Sequence, residues 1–114
     1  MRILITGAAG YIGSHAAAGL QQQGHEVHGL DDFRAGRPEA PEHLDVPFHV
    51  LDAGDEEAVL ALLRQESFDC VQHFAADVHV SASVRDPIST WENNVGTTTR
   101  LLSAVRRAGV PKFV

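Results

Sequence analysis

The apolar positions of this chain fall into short runs that alternate with stretches of helical periodicity. Ile3-Leu4-Ile5 is an unbroken apolar run of the kind a strand buried on both faces requires. From about Tyr11 to Gln23, Ile12, Ala16 and Leu20 recur at i, i+4 and i+8 and predict a helix with that stripe toward the sheet. Gly13 and Ala17 keep the same side small, and Gly24 supplies the left-handed position that ends helices. Glu26 to Leu30 reads as a second strand. Arg34 to Pro47 holds Gly36, Pro38, Pro41 and Pro47, which predict a loop without regular structure.

Phe48-His49-Val50-Leu51 alternates as a third strand would. Asp55 can cap the next helix, Glu56 and Glu57 suit its positive end, and Val59, Leu60, Leu62 and Leu63 form its apolar face. Phe68 to His73 is the fourth strand, and Val78 to Asp86 a polar loop or short helical turn. A long helix is expected from about Ile88 to Ala108, with Trp91, Val95, Thr98, Leu102 and Val105 on its buried side. Gly109-Val110-Pro111 stops it, and Lys112-Phe113-Val114 opens a fifth strand. Strands alternating with helices predict an α/β fold: a Rossmann-like three-layer domain whose parallel sheet has the order 3-2-1-4-5. Its ligand crevice should lie at the strand C-termini, between the first and fourth strands.

Composition narrows the partners. At 114 residues, with 44% hydrophobic and 21% charged, the chain reads as one domain, residues 1–114. A net charge of −6 and scattered arginines leave no basic stripe for nucleic acid. Met1-Arg2 leads straight into a strand, so no signal peptide is expected, and no apolar run approaches the ~20 residues of a membrane span. The single cysteine, Cys70, cannot form an internal disulfide and points to a reducing cytoplasm. The seven histidines show no ligand spacing, so no metal site is expected.

Chemistry concentrates in Thr6-Gly7-Ala8-Ala9-Gly10-Tyr11-Ile12-Gly13, directly after the first strand. Gly7 permits a tight turn, Gly10 lets the backbone approach a pyrophosphate, and Gly13 lets the helix pack close to the sheet. The phosphate charge then meets free N–H groups at the positive end of a helix. Asp31 lies at the end of the second strand, about 20 residues on, where a carboxylate accepts a ribose 2′-hydroxyl and repels a 2′-phosphate. NAD(H) is therefore expected over NADP(H), with Arg34 and Arg37 as opposing groups. Asp32 is placed near the adenine, as are Asp52 and Ala53 at the third strand's end. Phe74-Ala75-Ala76 offers small residues where a bulky side chain would block the nicotinamide ribose.

These residues resemble the extended short-chain dehydrogenase/reductases, specifically the NAD-dependent sugar-nucleotide epimerases and dehydratases. Thr6 to His15 is most similar to the opening of UDP-glucose 4-epimerases. Leu30-Asp31-Asp32-Phe33, His73-Phe74-Ala75-Ala76 and Asn93-Asn94-Val95-Gly96-Thr97 match further family segments. The resemblance implies that Tyr11 and Ile12 join the pyrophosphate loop and that Phe33 and Gly36 border the adenosine. It also implies that Phe74, Ala75 and Ala76 run along the nicotinamide side, supported by Asn93. Val78 stands where 4-epimerases usually carry lysine, and His79 is similar to the dehydratases' form of that loop.

In that family a tyrosine, activated by a lysine four residues on, takes the sugar hydroxyl proton. Here the one tyrosine is Tyr11 and the one lysine Lys112, so no such pair exists and no catalytic residue is assigned. The expectation is an N-terminal NAD(H)-binding portion, truncated relative to the family, that meets a nucleotide sugar only if completed by a missing C-terminal part. The alternatives are a dehydratase fragment, a self-assembling dinucleotide-binding module, or a redox sensor. A homodimer is expected, because the fifth strand would leave an unpaired edge.

Overall fold

The computed structural model describes residues 1–114. Strands β1 (Arg2–Thr6), β2 (Glu26–Asp31), β3 (Phe48–Val50), β4 (Cys70–His73) and β5 (Lys112–Phe113) form one sheet. Its order is β3-β2-β1-β4-β5 and every pairing is parallel, as the alternation of elements predicts. Thr6 stands opposite Leu30 on one side and His73 on the other, so three strands end together. Ligand crevices form at such an edge.

Each face of the sheet has its own core. Leu4, Leu30 and Val71 pack with Val59, Leu60 and Leu63 of α3 (Glu56–Glu66) and Leu101, Ala104 and Val105 of α6 (Thr97–Ala108). On the other face Ile3, Ile5, Val27 and Cys70 meet Ala17 of α1 (Tyr11–Gln22) and Leu44 of α2 (Ala40–Leu44). Each fully buried leucine or isoleucine here contributes about 1.5–3 kcal/mol relative to exposure. Asp55 caps α3 by accepting from the Ala58 amide, and Gly24 and Gly109 take left-handed conformations after α1 and α6. No helix is long and apolar enough to cross a membrane.

Three expectations are corrected. The sheet-facing side of α1 runs through Gly13 and Ala17, while Ile12 is 65% exposed. The reason is steric: a Cβ at Gly13 would fall on the Gly7 carbonyl oxygen, so the helix approaches the sheet only along its small residues. The region from Arg34 to Pro47 is not wholly irregular, because Pro41 sits in the first turn of the short helix α2, where its missing N–H costs nothing.

The long helix is not uniform but runs as α5 (Pro87–Trp91), a π-helical turn (Glu92–Gly96) and α6, and α4 (Val80–Arg85) precedes it where a short helical turn is expected. Asp86 caps α5 by accepting from the Ser89 amide. The wide π turn breaks the 3.6-residue repeat, so Trp91, Val95 and Leu102 of the expected stripe are exposed, while Val105 is buried as expected. Thr97, Leu101 and Ala104 are buried with it.

Candidate functional site

The glycine turn directs its own amides inward, Gly7 and Ala8 on the Leu30 carbonyl, Ala9 on Asp31 and Gly10 on the Gly7 carbonyl, and leaves free only those at the helix start that follows. Gly7 takes φ +71 and donates to the Leu30 carbonyl at 2.9 Å, which leaves the strand end in a tight reversal. Its missing side chain is required: a Cβ there would lie 2.6 Å from the Ala75 nitrogen. Helix α1 starts at Tyr11 after Gly10, and no side chain caps it. The N–H groups of Tyr11, Ile12 and Gly13 consequently find no acceptor in the chain. All three residues line the crevice at the positive end of the helix dipole, a ready anion site.

Asp31 ends β2 and is 9% exposed. Its Oδ2 accepts from the Ala9 amide at 3.0 Å and its Oδ1 from the Phe33 amide at 2.8 Å. The carboxylate thus ties the glycine turn to the next loop and still has a free lone pair on each oxygen. A Cβ at Gly36 would lie 3.0 Å from Asp31 Oδ1 and closer still to Ala9, so only glycine fits beside this carboxylate.

Phe33 takes the left-handed conformation, φ +59, and its ring stacks on Phe48 at 5.4 Å. Its backbone turns Arg34 back across the crevice. There Arg34 Nε meets Asp32 Oδ2 at 2.5 Å and its second nitrogen reaches Asp52 Oδ2 at 3.3 Å. The hydrogen bond to Asp32 holds the Arg34 guanidinium above its ordinary range, with Asp52 and Asp31 adding to the effect.

His73 braces the opposite wall. The Thr98 hydroxyl donates to the Asn94 carbonyl at 2.7 Å, so it accepts from His73 Nε2 at 3.0 Å. His73 Nδ1 then accepts from the Thr6 hydroxyl at 2.6 Å. The imidazole is held neutral in the Nε2–H form, and burial lowers its pKa. This chain of bonds links β1, β4 and α6 beneath the crevice.

Together these elements enclose a crevice of about 730 Å³ at the C-terminal ends of the strands. It holds Gly7, Gly10, Tyr11, Ile12, Gly13, Asp31, Asp32, Gly36, Asp52, Ala53, Phe74, Ala75, Ala76 and Asn93. Of the residues expected from the sequence, Phe33 alone stands outside the wall, because its ring is engaged with Phe48. A size of this order suits a large organic ligand. No cluster of His, Cys, Asp or Glu is arranged to hold a metal.

A family model described as the NAD dependent epimerase/dehydratase family matches residues 3–114. The chain belongs to that family. It is 40% identical over 113 residues to the UDP-glucose 4-epimerase of Azospirillum brasilense, covering 99% of this chain and 32% of that protein. A Klebsiella pneumoniae UDP-glucose 4-epimerase is 38% identical over 120 residues, covering 100% of this chain and 86% of that one.

Among solved structures, the family member UDP-glucose-4-epimerase from Stenotrophomonas maltophila, with bound NAD and formylated UDP-arabinopyranose, superposes with a TM-score of 0.96. That match has 35% identity and covers 99% of this chain and 35% of that one. The Thermus thermophilus UDP-glucose 4-epimerase in complex with NAD gives 0.90 at 40% identity, over 99% of this chain and 36% of that one. The chain spans about a third of the length of most curated epimerases it matches, and aligns with their N-terminal NAD-binding part.

Arg34, weighed in the sequence as an opposing group, lies in the wall of this epimerase-family crevice and Arg37 does not, while sequence reasoning missed others, among them Leu51, Asp77, Ser89 and Thr97. Asp77 is held by Asn94, whose Oδ1 accepts its amide and whose Nδ2 donates to its carbonyl. The adjacent asparagines Asn93-Asn94 were the available signal, since amide side chains inside a helix usually bond to something specific.

Proposed function

We propose that this chain binds NAD(H) as the N-terminal portion of an enzyme that epimerises a nucleotide sugar. The observation that carries the proposal is the trio of unpaired amides at Tyr11, Ile12 and Gly13 over a glycine turn with no room for side chains. The dinucleotide fits this arrangement: the amides hold its diphosphate, Asp31 accepts a ribose hydroxyl, and Asp32, Asp52 and Ala53 border the adenine. Phe74, Ala75 and Ala76 line the nicotinamide side, where two methyl side chains leave the ribose space. Asn93 supports that wall, and Gly36 keeps the adenosine end open. When bound, NAD supplies a hydride acceptor and donor for a sugar carbon. Tyr11, on the rim of the glycine turn, is not paired with a lysine, and the proton transfer is not assigned to it.

Titration of the chain with NADH, read by its fluorescence, tests the proposal. Saturable binding is expected, and no binding at millimolar NADH refutes it. These 114 residues carry no Tyr-x-x-x-Lys pair, so no epimerisation of UDP-glucose by them is expected even with NAD present.

A contact between copies is proposed for the region of α4 and α5. Val80, Val84, Ile88 and Trp91 are all exposed there, more apolar surface than an isolated domain ordinarily leaves bare. Light scattering of the chain decides it: a homodimer is expected, and a monomer at high concentration refutes it. A single buried thiol, Cys70, accords with a cytoplasmic location.

A further inference from the structure

Where β2 and β3 end, the crevice holds three carboxylates, Asp31, Asp32 and Asp52, and one guanidinium, Arg34, while a fourth carboxylate, Asp77, lies in the segment after β4. Arginine beside a strand-end acid is ambiguous in principle, because its planar fork is suited to a 2′-phosphate. The geometry here removes the ambiguity. Phe33 is pinned in a left-handed conformation by its stack on Phe48, and the Arg34 amide is held by Asp32 Oδ1 at 3.0 Å. The chain reversal lays the Arg34 side chain between the ends of β2 and β3, with Nε on Asp32 and a terminal nitrogen on Asp52. Asp52 is itself oriented, since its Oδ1 accepts from the Gly54 amide at 2.7 Å.

Resting on the NAD(H) reading above, we infer that Asp32 and Asp52 determine cofactor choice by occupying Arg34, so that its charge is spent before a 2′-phosphate arrives. Asp31 contributes its own part of that choice, since each of its oxygens serves one backbone amide and keeps a lone pair for a ribose hydroxyl. A 2′-phosphate brings close to two negative charges to a site whose only cation is engaged on two sides. It would have to break the Arg34 pairs and leave two carboxylates facing it. An unphosphorylated ribose disturbs none of these bonds. Freed from its partners, the same guanidinium offers a fork to the phosphate.

The test is the ratio of NADPH to NADH affinity, measured by fluorescence titration of the full chain. Wild type is compared with Asp32→Asn, with Asp32→Ser/Asp52→Ser, and with the latter carrying Arg34→Ala; circular dichroism checks that each folds. The double variant should raise the ratio by roughly tenfold or more, the single variant by less, and Arg34→Ala should cancel the gain. A gain that survives Arg34→Ala shows simple loss of repulsion and overturns the inference. So does a ratio unmoved in both variants that bind NADH. If wild type binds neither nucleotide, the NAD(H) reading fails and this inference falls with it.

Discussion

Asn94 grips the backbone of Asp77 from both sides: its Oδ1 accepts from the Asp77 amide at 2.7 Å and its Nδ2 donates to the Asp77 carbonyl at 2.9 Å. Asn93 adds a bond to the same Oδ1 at 3.2 Å. The two asparagines lie in the π-helical turn, so a local widening of the helix supplies the reach to the segment that follows β4.

Replacing Asn94 by alanine removes both bonds and leaves two half-buried backbone groups of Asp77 without partners. A loss of about 1–3 kcal/mol of stability is expected from denaturant titration. NADH affinity should fall with it, because Asp77 continues the wall formed by Phe74, Ala75 and Ala76. Asn94→Asp keeps the acceptor but loses the donor, and should lie between wild type and alanine.

Two glycines of α1 should respond in opposite directions to alanine. At Gly13 a Cβ meets the Gly7 carbonyl oxygen, so the turn or the helix must move. A cost of about 1–3 kcal/mol and a large loss of NADH affinity are expected. At Gly19, inside the same helix, a Cβ meets nothing within 4 Å. Gly19→Ala should therefore stabilise by about 0.5–1 kcal/mol through helix propensity, without touching the crevice.

Acid should destabilise the fold before its carboxylates titrate. Burial, with the neighbouring charge of His28, holds the His49 pKa below its ordinary 6.5. Burial does the same to His73. A group with a lowered folded pKa binds its proton more readily when unfolded, so unfolding takes up protons as pH falls. Stability should be full above about pH 7 and decline as pH drops through 6.5 toward the folded pKa values. Urea midpoints measured from pH 7.5 to 5 check this, and the decline should flatten in a His49→Asn/His73→Gln variant. An unchanged slope in that variant would contradict the assignment.

Much of this architecture is legible in the chain because short-range physics decides it. Ile3-Leu4-Ile5, the glycines at 7, 10 and 13, and Asp31 predict the strand, the turn and the carboxylate that the structure brings together. The helix faces are a different case. Ile12 and Trp91 fit an apolar repeat yet face outward, because close approach at Gly13 and the π turn at Glu92–Gly96 rotate the buried stripe. The Arg34 bridge was equally out of reach. It depends on a left-handed Phe33 and on β3 ending beside β2, and both are consequences of tertiary packing.

The central claim is that three backbone amides at the start of α1 receive the diphosphate of NAD, and amide NMR of the isotope-labelled chain tests it at those atoms. On addition of NAD⁺, the Tyr11, Ile12 and Gly13 resonances should shift most, with Ala9 and Phe33 following through Asp31. Saturable binding that leaves those three amides in place, or shifts confined to another part of the surface, would contradict the account.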